Sequence, residues 1–195
     1  MGLDELGRGT QAREDRMADQ SDYWILEKTL EQIDPDLVDK WGDPNKHPET
    51  QFSAEEVQAL LEAGREMFLT HLTRDGFPMV TVHVYVLRDG TLWSTSTKPR
   101  VKVRALQRDP RCGVCISTNG LGLPFGGAMT LKTRVEIVED PATVEEICRM
   151  HGERYYEGER ARELFVRSLL TPNRVAMKFH VDHVVSWKNI GFRQS

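Results

Sequence analysis

Residues 74–111 read RDGFPMVTVHVYVLRDGTLWSTSTKPRVKVRALQRDPR and contain the pattern that decides the fold. Two turns, Asp75-Gly76 and Asp89-Gly90, border a run of alternating apolar and polar residues. Asp-Gly between alternating segments is typical of a β-hairpin. We therefore predict a strand over 79–87 and a second, antiparallel strand over 91–96.

Side chains alternate along the first of these strands. Thr81, His83 and Tyr85 share one face, and the valines at even positions from 80 to 86 share the other. Because successive side chains in a strand point to opposite faces, the two sets have different environments.

The rest of the chain continues the pattern of hairpins with clustered helices. Ser53 and Glu56 have the spacing of a capping box, which predicts a helix start. Clustered hairpins argue against a doubly wound sheet and favour a closed antiparallel barrel with peripheral helices. Further strands are predicted over 66–73, 112–118 and 128–139, helices over 143–156 and 160–170, and a strand pair or one bent strand over 174–189.

Composition and charge limit the class of protein. A chain of 195 residues with 39% hydrophobic residues predicts one globular domain over 51–195, after an N-terminal extension over 1–50 that is partly disordered or helical. The net charge is −4, which argues against a nucleic-acid-coating protein. We find no disulfide framework, no apolar run of about 18–20 residues and no secretory signal. These features predict a cytoplasmic protein with no membrane or nucleic-acid partner.

Positive charge is nevertheless concentrated in the C-terminal part of the stretch. Residues 94–111 hold six basic residues and one acid, directly after a run of hydroxyl side chains. Pro99 fits the first turn of a short helix, whose N-terminal N–H groups and dipole favour an anion. Hydroxyls and basic side chains there predict a phosphate site, formed by Thr95, Ser96, Thr97, Arg100 and Lys102.

Two other interpretations of this basic run remain open from the residues alone. Most runs of Lys and Arg form a solvated helix face. A nucleic-acid patch is the other interpretation, although the run lacks the interleaved aromatic residues on which single strands stack.

The whole stretch resembles the flavin-binding split barrels of the pyridoxamine 5'-phosphate oxidase-like superfamily. The similarity includes RDGFP, DGTLWSTST, the helix RVKVRALQRDPR and the terminal VVSWKN, and covers about residues 65–190. It is strongest to the actinobacterial branch that includes enzymes dependent on the deazaflavin coenzyme F-420. The helix departs from the family pattern twice, with Val101 in place of arginine and Ala105-Leu106 in place of Asn-Leu.

The resemblance implies a mainly β fold with peripheral helices, a six-stranded antiparallel split β-barrel. It also implies a homodimer with the cofactor at the interface, to which Trp187 contributes from the second chain. By the same resemblance Thr81, Val82 and His83 flank the flavin or deazaflavin ring. The implied phosphate-binding residues are Thr95, Ser96, Arg100 and Lys102, with Lys98 nearby.

The implied function is a flavin- or deazaflavin-dependent oxidoreductase that transfers hydride to or from a small organic substrate. Lys98, Arg104 and Arg108 favour deazaflavin over FMN, because its glutamate tail is polyanionic. His83 and Tyr85 are candidates for a general acid. The alternative is a non-catalytic split-barrel protein that binds flavin, deazaflavin or haem, the last through His71, His83 or His151.

A zinc site is the remaining pattern that we considered. Cys112-x-x-Cys115 has ligand-like spacing, and Cys148 and His151 would share one helix face. The first pair lies on a predicted strand, where an odd offset points the two thiols to opposite faces. The sequence therefore predicts no metal site.

Overall fold

The computed structural model describes residues 50–188. The predicted extension over 1–50 lies outside the described residues, apart from Thr50. The helices are α1 (Ala54–Ala63), α2 (Val101–Arg108), α3 (Pro141–Tyr155) and α4 (Glu159–Leu169). The strands are β1 (Glu66–Leu72), β2 (Pro78–Val84), β3 (Val86–Arg88), β4 (Thr91–Thr97), β5 (Arg111–Ser117), β6 (Gly127–Val138) and β7 (Arg174–Lys188).

All seven described strands belong to one antiparallel sheet, in the order β2-β1-β5-β6-β7-β4-β3. β2 and β3 stand at opposite ends of this order, yet only Tyr85 separates them along the chain. The sheet must therefore curl until its two edges meet. This is the predicted barrel with peripheral helices.

The strand predicted over 79–87 is divided at Tyr85, which is why the sheet has seven strands and not the predicted six. The break has a hydrogen-bonding cause. The Tyr155 hydroxyl accepts from the Tyr85 N–H at 3.2 Å and lies 2.8 Å from the Tyr85 carbonyl oxygen. A side chain of α3 thus supplies the partner that a neighbouring strand would otherwise supply.

A split opens in the barrel on one side of this break. β3 pairs with β4 from Val86 to Arg88, whereas β2 pairs within the described residues with β1 alone. Likewise Ser94–Thr97 of β4 pairs with β7 on one side and with no described strand on the other. The Ser94 hydroxyl donates to the Val84 carbonyl at 2.7 Å, where the gap begins. The end of β4 and the whole of β2 therefore face each other across an unpaired gap.

Two hydrophobic clusters hold this architecture. The first fills the barrel interior and includes Leu60, Met67, Leu69, Leu106 and Phe179, each no more than 1% exposed. The second lies on the outside, where α3 and α4 cover Trp93 and Ala176. Full burial of a Leu, Phe or Met side chain stabilises a fold by about 1.5–3 kcal/mol. The interior cluster fixes the barrel, and the outer one fixes the helices behind β4.

Two further predictions are confirmed. Ser53 and Glu56 form the capping box of α1, with the Glu56 N–H donating to Ser53 Oγ at 3.2 Å and the Ser53 N–H to Glu56 Oε2 at 2.8 Å. β7 is one strand whose register against β6 shifts at Lys132/Thr133, which matches the bent strand among the two alternatives. Within residues 50–188, every helix is too short or too polar to span a membrane.

Candidate functional site

The turn between β4 and α2 places the basic stretch beside the split. The Arg100 N–H donates to the Thr97 carbonyl at 3.0 Å, and Arg100 is the N-cap of α2. Pro99 precedes the N-cap, so the prediction that it lies in the first helical turn is wrong. Its carbonyl accepts instead from the Arg104 guanidinium at 2.7 Å. Arg100 and Lys102 thus stand at the start of a helix whose cap makes no side-chain hydrogen bond.

The hydroxyl run of β4 is divided between the two faces of the strand. Ser96 is buried on the same face as the interior residue Leu92. Thr95 and Thr97 lie on the opposite face, with Trp93 of the outer cluster. The three side chains therefore do not converge on one point, because strand geometry alternates them. Ser96 is the hydroxyl that faces the barrel interior.

The three residues predicted to flank the ring are divided in the same way. His83 is 7% exposed and Thr81 is half-buried, whereas Val82 on the other face is 53% exposed. The alternation predicted that Thr81 and His83 share a face opposite Val82, and the structure shows that this is the interior face. Because Val82 points away from Thr81 and His83, the three side chains cannot all contact the same planar ring. What the three residues share is the main chain of β2.

Polar atoms without partners gather on the interior side of this gap. Four buried side-chain atoms on β1, β2 and β4 make no hydrogen bond: His71 Nδ1, Thr81 Oγ1, His83 Nε2 and Ser96 Oγ. A buried polar group left unsatisfied costs about 1–3 kcal/mol. Native proteins keep such groups where a ligand or an ordered water satisfies them. The cluster is therefore suited to a polar ligand.

Positive charge near these atoms has no counter-charge. Among residues 50–188, neither Arg100 nor Lys102 forms an ion pair with a carboxylate. Partial burial, together with the charge of Arg100, lowers the pKa of Lys102. Burial, followed by the charges of Lys102 and Arg100, lowers the pKa of His83 to about 4. The environment thus disfavours further positive charge and favours an anion.

The other basic residues of the stretch are already engaged. Lys98 Nζ lies 2.7 Å from Glu139, Arg104 donates to Pro99, and Arg108 donates to the Leu72 carbonyl at 2.7 Å. Lys98 is therefore paired with a carboxylate, whereas Arg104 and Arg108 keep their full charge and further N–H donors.

The two candidates for a general acid do not fit that role. Tyr85 is fully buried, and its hydroxyl donates to the Leu61 carbonyl at 2.8 Å inside the barrel. The low pKa of His83, about 4, keeps the ring neutral at physiological pH. Neutral His83 offers one N–H donor but no readily released proton.

Two residues near the site were missed by the sequence reasoning. The sequence suggested His71 as a strand neighbour of His83 or a haem ligand, and β1 places its unpartnered nitrogen inside the barrel, where burial and then the charge of Lys102 lower the pKa of His71. Arg174 begins β7 and pairs with Thr97 in the β4–β7 register. No local motif marks either residue, since strand pairing brings His71 to the interior of the split and Arg174 to the outer face beside Thr97.

An exposed apolar surface covers the outside of the same strands. Phe68 of β1 pairs with Val82 on one side and with Cys115 on the other. The row continues through Thr130 to Val185 of β7. Contiguous exposed apolar surfaces mark interaction sites. We define the outer apolar patch by its exposed members, which are Phe68, Val80, Val82, Val84, Val185 and Trp187.

A cavity of about 600 Å³ opens beside this patch. Phe68 and Val84 line it from the strands, and Tyr155 and Leu121 line it from α3 and the β5–β6 loop. Val84 lines the cavity and is also the last residue of β2, the strand that the sequence analysis expected to flank the flavin or deazaflavin ring. The cavity therefore borders the outer side of the strand whose inner side carries the unpartnered atoms.

The cysteines are not arranged for metal binding. Cys112 Sγ lies 2.9 Å from Thr133 Oγ1, and burial raises the pKa of this thiol to about 11. Cys115 points to the opposite face, towards the outer row with Phe68. In the described part of the chain, no three His, Cys, Asp or Glu side chains are grouped to hold a metal ion.

Comparison with known proteins identifies the family of this chain. The sequence profile of the pyridoxamine 5'-phosphate oxidase family matches residues 53–188. The chain belongs to the pyridoxamine 5'-phosphate oxidase-like family. The matched segment includes both strands of the split, helix α2 and Arg174. No curated protein sequence matches the chain.

Solved structures share the fold of this family member. A conserved hypothetical protein of Mycobacterium tuberculosis is 22% identical with a TM-score of 0.64, over 73% of this chain and 88% of that one. An FAD-binding protein of Mesorhizobium loti is 20% identical with a TM-score of 0.51, over 71% and 96%. A haem-storage protein of Vibrio cholerae is 14% identical with a TM-score of 0.54, over 69% and 94%. At these identities the likeness establishes the split-barrel fold alone.

The buried histidines predict how stability depends on pH. Burial is the first cause that lowers the pKa of both His83 and His151 from 6.5 to about 4. Between these values the unfolded chain binds more protons, so stability is complete above pH 6.5 and falls as the pH is lowered towards 4. We expect the free energy of unfolding to fall by about 1.4 kcal/mol per pH unit for each histidine.

Urea unfolding at pH 7.5, 6.5, 5.5 and 4.5 measures this slope. In a His83→Gln variant, the slope of the unfolding free energy against pH is expected to be about half of the wild-type slope. A wild-type free energy that stays constant from pH 6.5 to 4.5 would contradict neutral burial of these rings.

Proposed function

We propose that the protein is an oxidoreductase that holds FMN or a deazaflavin by its phosphate at the split between β2 and β4. One observation carries the proposal: buried unpartnered polar atoms lie beside Arg100 and Lys102, which have no carboxylate partner among the described residues. A dianionic phosphate would supply both the acceptor oxygens and the negative charge that this arrangement requires.

The residues divide the work of binding between them. The Ser96 and Thr81 hydroxyls would donate to phosphate oxygens, and Arg100 and Lys102 would add charge-assisted hydrogen bonds. Because the Ser94 hydroxyl donates to Val84, neutral His83 would donate its Nδ1–H to Ser94 Oγ, 3.4 Å away, and its Nε2 would accept from a donor group of the cofactor. The unpaired main-chain edge of β2 would border the ring. These side chains are held by strands and a helix, which gives the site a rigid frame.

The cofactor would supply the redox chemistry, a hydride exchanged with an electron-poor double bond or ring. The protein would orient the ring along β2 and exclude water from it. The 600 Å³ cavity beside Val84 provides space for a small organic substrate near that strand.

FMN and deazaflavin both satisfy the phosphate requirement. The sequence argument for deazaflavin depended on Lys98, Arg104 and Arg108; Lys98 is paired with Glu139, and only Arg104 and Arg108 keep an uncompensated charge for a polyanionic tail. We therefore propose the shared phosphate-and-ring site and leave the choice of ring to measurement. The FAD-binding protein of Mesorhizobium loti, which shares the fold, is consistent with a flavin.

Hydride transfer and cofactor storage are separated by a single-turnover experiment. The protein loaded with reduced cofactor is mixed anaerobically with electron-poor acceptors, such as activated alkenes and nitroaromatic rings, and cofactor oxidation is followed by absorbance. Oxidation faster than with free cofactor supports the oxidoreductase. Tight binding without such acceleration would indicate a carrier, and failure to bind either cofactor below about tens of micromolar would refute the site.

We further propose that a second copy of the chain covers the outer apolar patch and completes the cofactor site. Val80, Val82 and Trp187 are each more than half exposed, at 56%, 53% and 54%. A surface of this kind is unfavourable in water and is typical of homodimer interfaces. The patch includes Val82 of the strand assigned to the ring, so the second subunit would lie next to the cofactor.

A charge placed in the patch tests the dimer. Val82→Glu is expected to convert a dimer to a monomer in sedimentation velocity, because the new carboxylate would be buried unpaired. Val181→Glu is the matched control, since Val181 is a 47% exposed valine outside the patch. A monomeric wild type, or a Val82→Glu protein that remains dimeric, would contradict this proposal.

A further inference from the structure

We infer that the Ser94 hydroxyl keeps the split between β2 and β4 open, which makes Ser94 a positioning residue for the cofactor. The role in cofactor binding rests on the proposed function, because the split is the proposed cofactor site. The role in holding the two strands apart concerns the protein alone.

The main-chain groups of β2 that border the split follow from one hydrogen bond beside the β1–β2 turn. The Thr73 N–H donates to the Phe77 carbonyl at 2.9 Å, in the register of the β1–β2 pair. Residues of an antiparallel strand alternate between facing the partner strand and facing away from it. Odd-numbered residues of β2 therefore face β1 with their main chain, as Phe77 does. Val82 and Val84 direct their N–H and C=O groups into the split.

The end of β4 has the same alternation on its own side. The Lys98 N–H donates to the Asn173 carbonyl at 2.9 Å, which continues the β4–β7 register by one pair. Even-numbered residues of β4 therefore face β7 with their main chain. Thr95 directs its N–H and C=O groups into the split, where β4 pairs with no described strand.

The two edges of the split match in register. Val86 of β3 pairs with Trp93 of β4, so the next hydrogen-bonded pair in the same ladder would join Val84 to Thr95. These two residues are the ones whose main-chain groups already face the split. Unpaired strand edges that match in this way tend to pair. A local contact must therefore stop the β3–β4 ladder from extending into β2.

The Ser94 hydroxyl makes that contact. It donates to the Val84 carbonyl at 2.7 Å, and so occupies the acceptor that the Thr95 N–H would use in an extended ladder. Ser94 is 1% exposed, and its oxygen also lies 3.4 Å from Nδ1 of His83. A serine hydroxyl that bonds a main-chain carbonyl competes with secondary structure at that point. The hydroxyl therefore ends the ladder at Val86 and leaves the split open.

Loss of the hydroxyl would favour closure of the split. The Val84 carbonyl would lose its donor, and the nearest replacement in register is the Thr95 N–H. Closure would bring the two edges together beside Ser96. A cofactor would then bind only the open fraction of the protein, and its apparent affinity would fall by that fraction.

The simpler alternative is that Ser94 only stabilises this part of the sheet. Loss of a purely structural hydrogen bond would loosen the strands, so nearby amides would exchange with solvent faster. Closure has the opposite effect, because the Thr95 N–H gains an acceptor.

Amide hydrogen exchange of the cofactor-free protein distinguishes these roles. We expect the Thr95 amide to exchange about threefold or more slowly in Ser94→Ala than in the wild type. Ser186→Ala is the matched control, because Ser186 is also buried and its hydroxyl accepts from the Phe52 N–H at 2.9 Å. Ser186 lies at the end of β7 that does not pair with β4, so Thr95 exchange is expected to stay within about twofold. Unchanged or faster Thr95 exchange in Ser94→Ala would overturn the inference.

Cofactor affinity gives a second measurement. Ser94→Ala is expected to bind FMN and riboflavin about three- to tenfold more weakly, by the same factor for both, because closure competes with either ligand. Fluorescence titration measures both affinities. A loss confined to FMN would make Ser94 part of the phosphate anchor, and no loss for either ligand would show that the split stays open without the hydroxyl. Either result would overturn the positioning role.

The wild-type protein provides the test if Ser94→Ala does not fold. In the free wild type, the Thr95 amide is expected to exchange faster than the Ser96 amide, which faces β7. Equal protection of the two amides would show that the split is already closed, and would overturn the inference. A wild type that binds neither FMN nor deazaflavin would refute the cofactor site, whereas Thr95 exchange tests Ser94 without any cofactor.

Discussion

Lys102→Met is expected to weaken FMN binding about 10- to 150-fold without lowering the stability of the protein. A charge-assisted hydrogen bond contributes about 1.5–3 kcal/mol, which corresponds to that range of affinity. Stability is preserved because the ammonium is half-buried beside Arg100 and has no described carboxylate partner. Fluorescence titration with FMN measures the first quantity, and urea unfolding without cofactor measures the second.

Arg111→Gln is the matched control for this variant. It removes one positive charge from the same stretch, but the Arg111 side chain is 78% exposed and pairs with Asp109. FMN affinity in the control is expected to stay within about twofold. Equal losses of FMN affinity in the two variants would show that the basic stretch acts only through long-range charge. Full FMN affinity in Lys102→Met would refute Lys102 as a phosphate anchor.

Gly127→Ala is expected to cause the largest loss of stability, about 3 kcal/mol or more. Gly127 begins β6 at φ 145°, and an added Cβ would clash with the Trp187 carbonyl oxygen and lie 3.0 Å from the Phe52 ring. The variant combines backbone strain with overpacking, each of which costs about 1–3 kcal/mol. The displaced carbonyl belongs to Trp187, so the β6–β7 pairing beside the outer apolar patch would open.

Gly120→Ala separates the two contributions. Gly120 also has a positive φ, 72°, but an added Cβ would meet no atom within 4 Å. Its cost is expected to be backbone strain alone, about 1–2 kcal/mol. Urea unfolding of both variants measures the difference. Equal losses would show that the close approach of β6 and β7 at Gly127 does not exist in solution.

Local patterns in the sequence were sufficient for the main features of the fold. The Asp-Gly turns, the alternation over 79–87 and the Ser53–Glu56 capping box each depend on residues within a few positions of one another. The break at Tyr85 could not be predicted in this way. Its cause is Tyr155, seventy positions later, which hydrogen-bonds the Tyr85 main chain.

The candidate site was predicted in part. The sequence assigned Ser96, Arg100 and Lys102 to a phosphate site and, by resemblance, Thr81 and His83 to the ring, and the structure brings these residues to one split. Thr95 and Thr97 were grouped with Ser96 although the alternation already seen in the valines assigns them to the other face. His71 reaches the site, and Arg174 reaches the outer face beside Thr97, only through strand pairing, which composition and motifs do not encode.

The most direct test of the phosphate site is the ratio of the wild-type affinities for FMN and riboflavin, measured by fluorescence titration under one set of conditions. The two ligands present the same ring, so the ratio isolates the phosphate. Several charge-assisted contacts predict that FMN binds at least about 100-fold more tightly than riboflavin. Equal affinities would contradict a phosphate anchor at Ser96, Arg100 and Lys102.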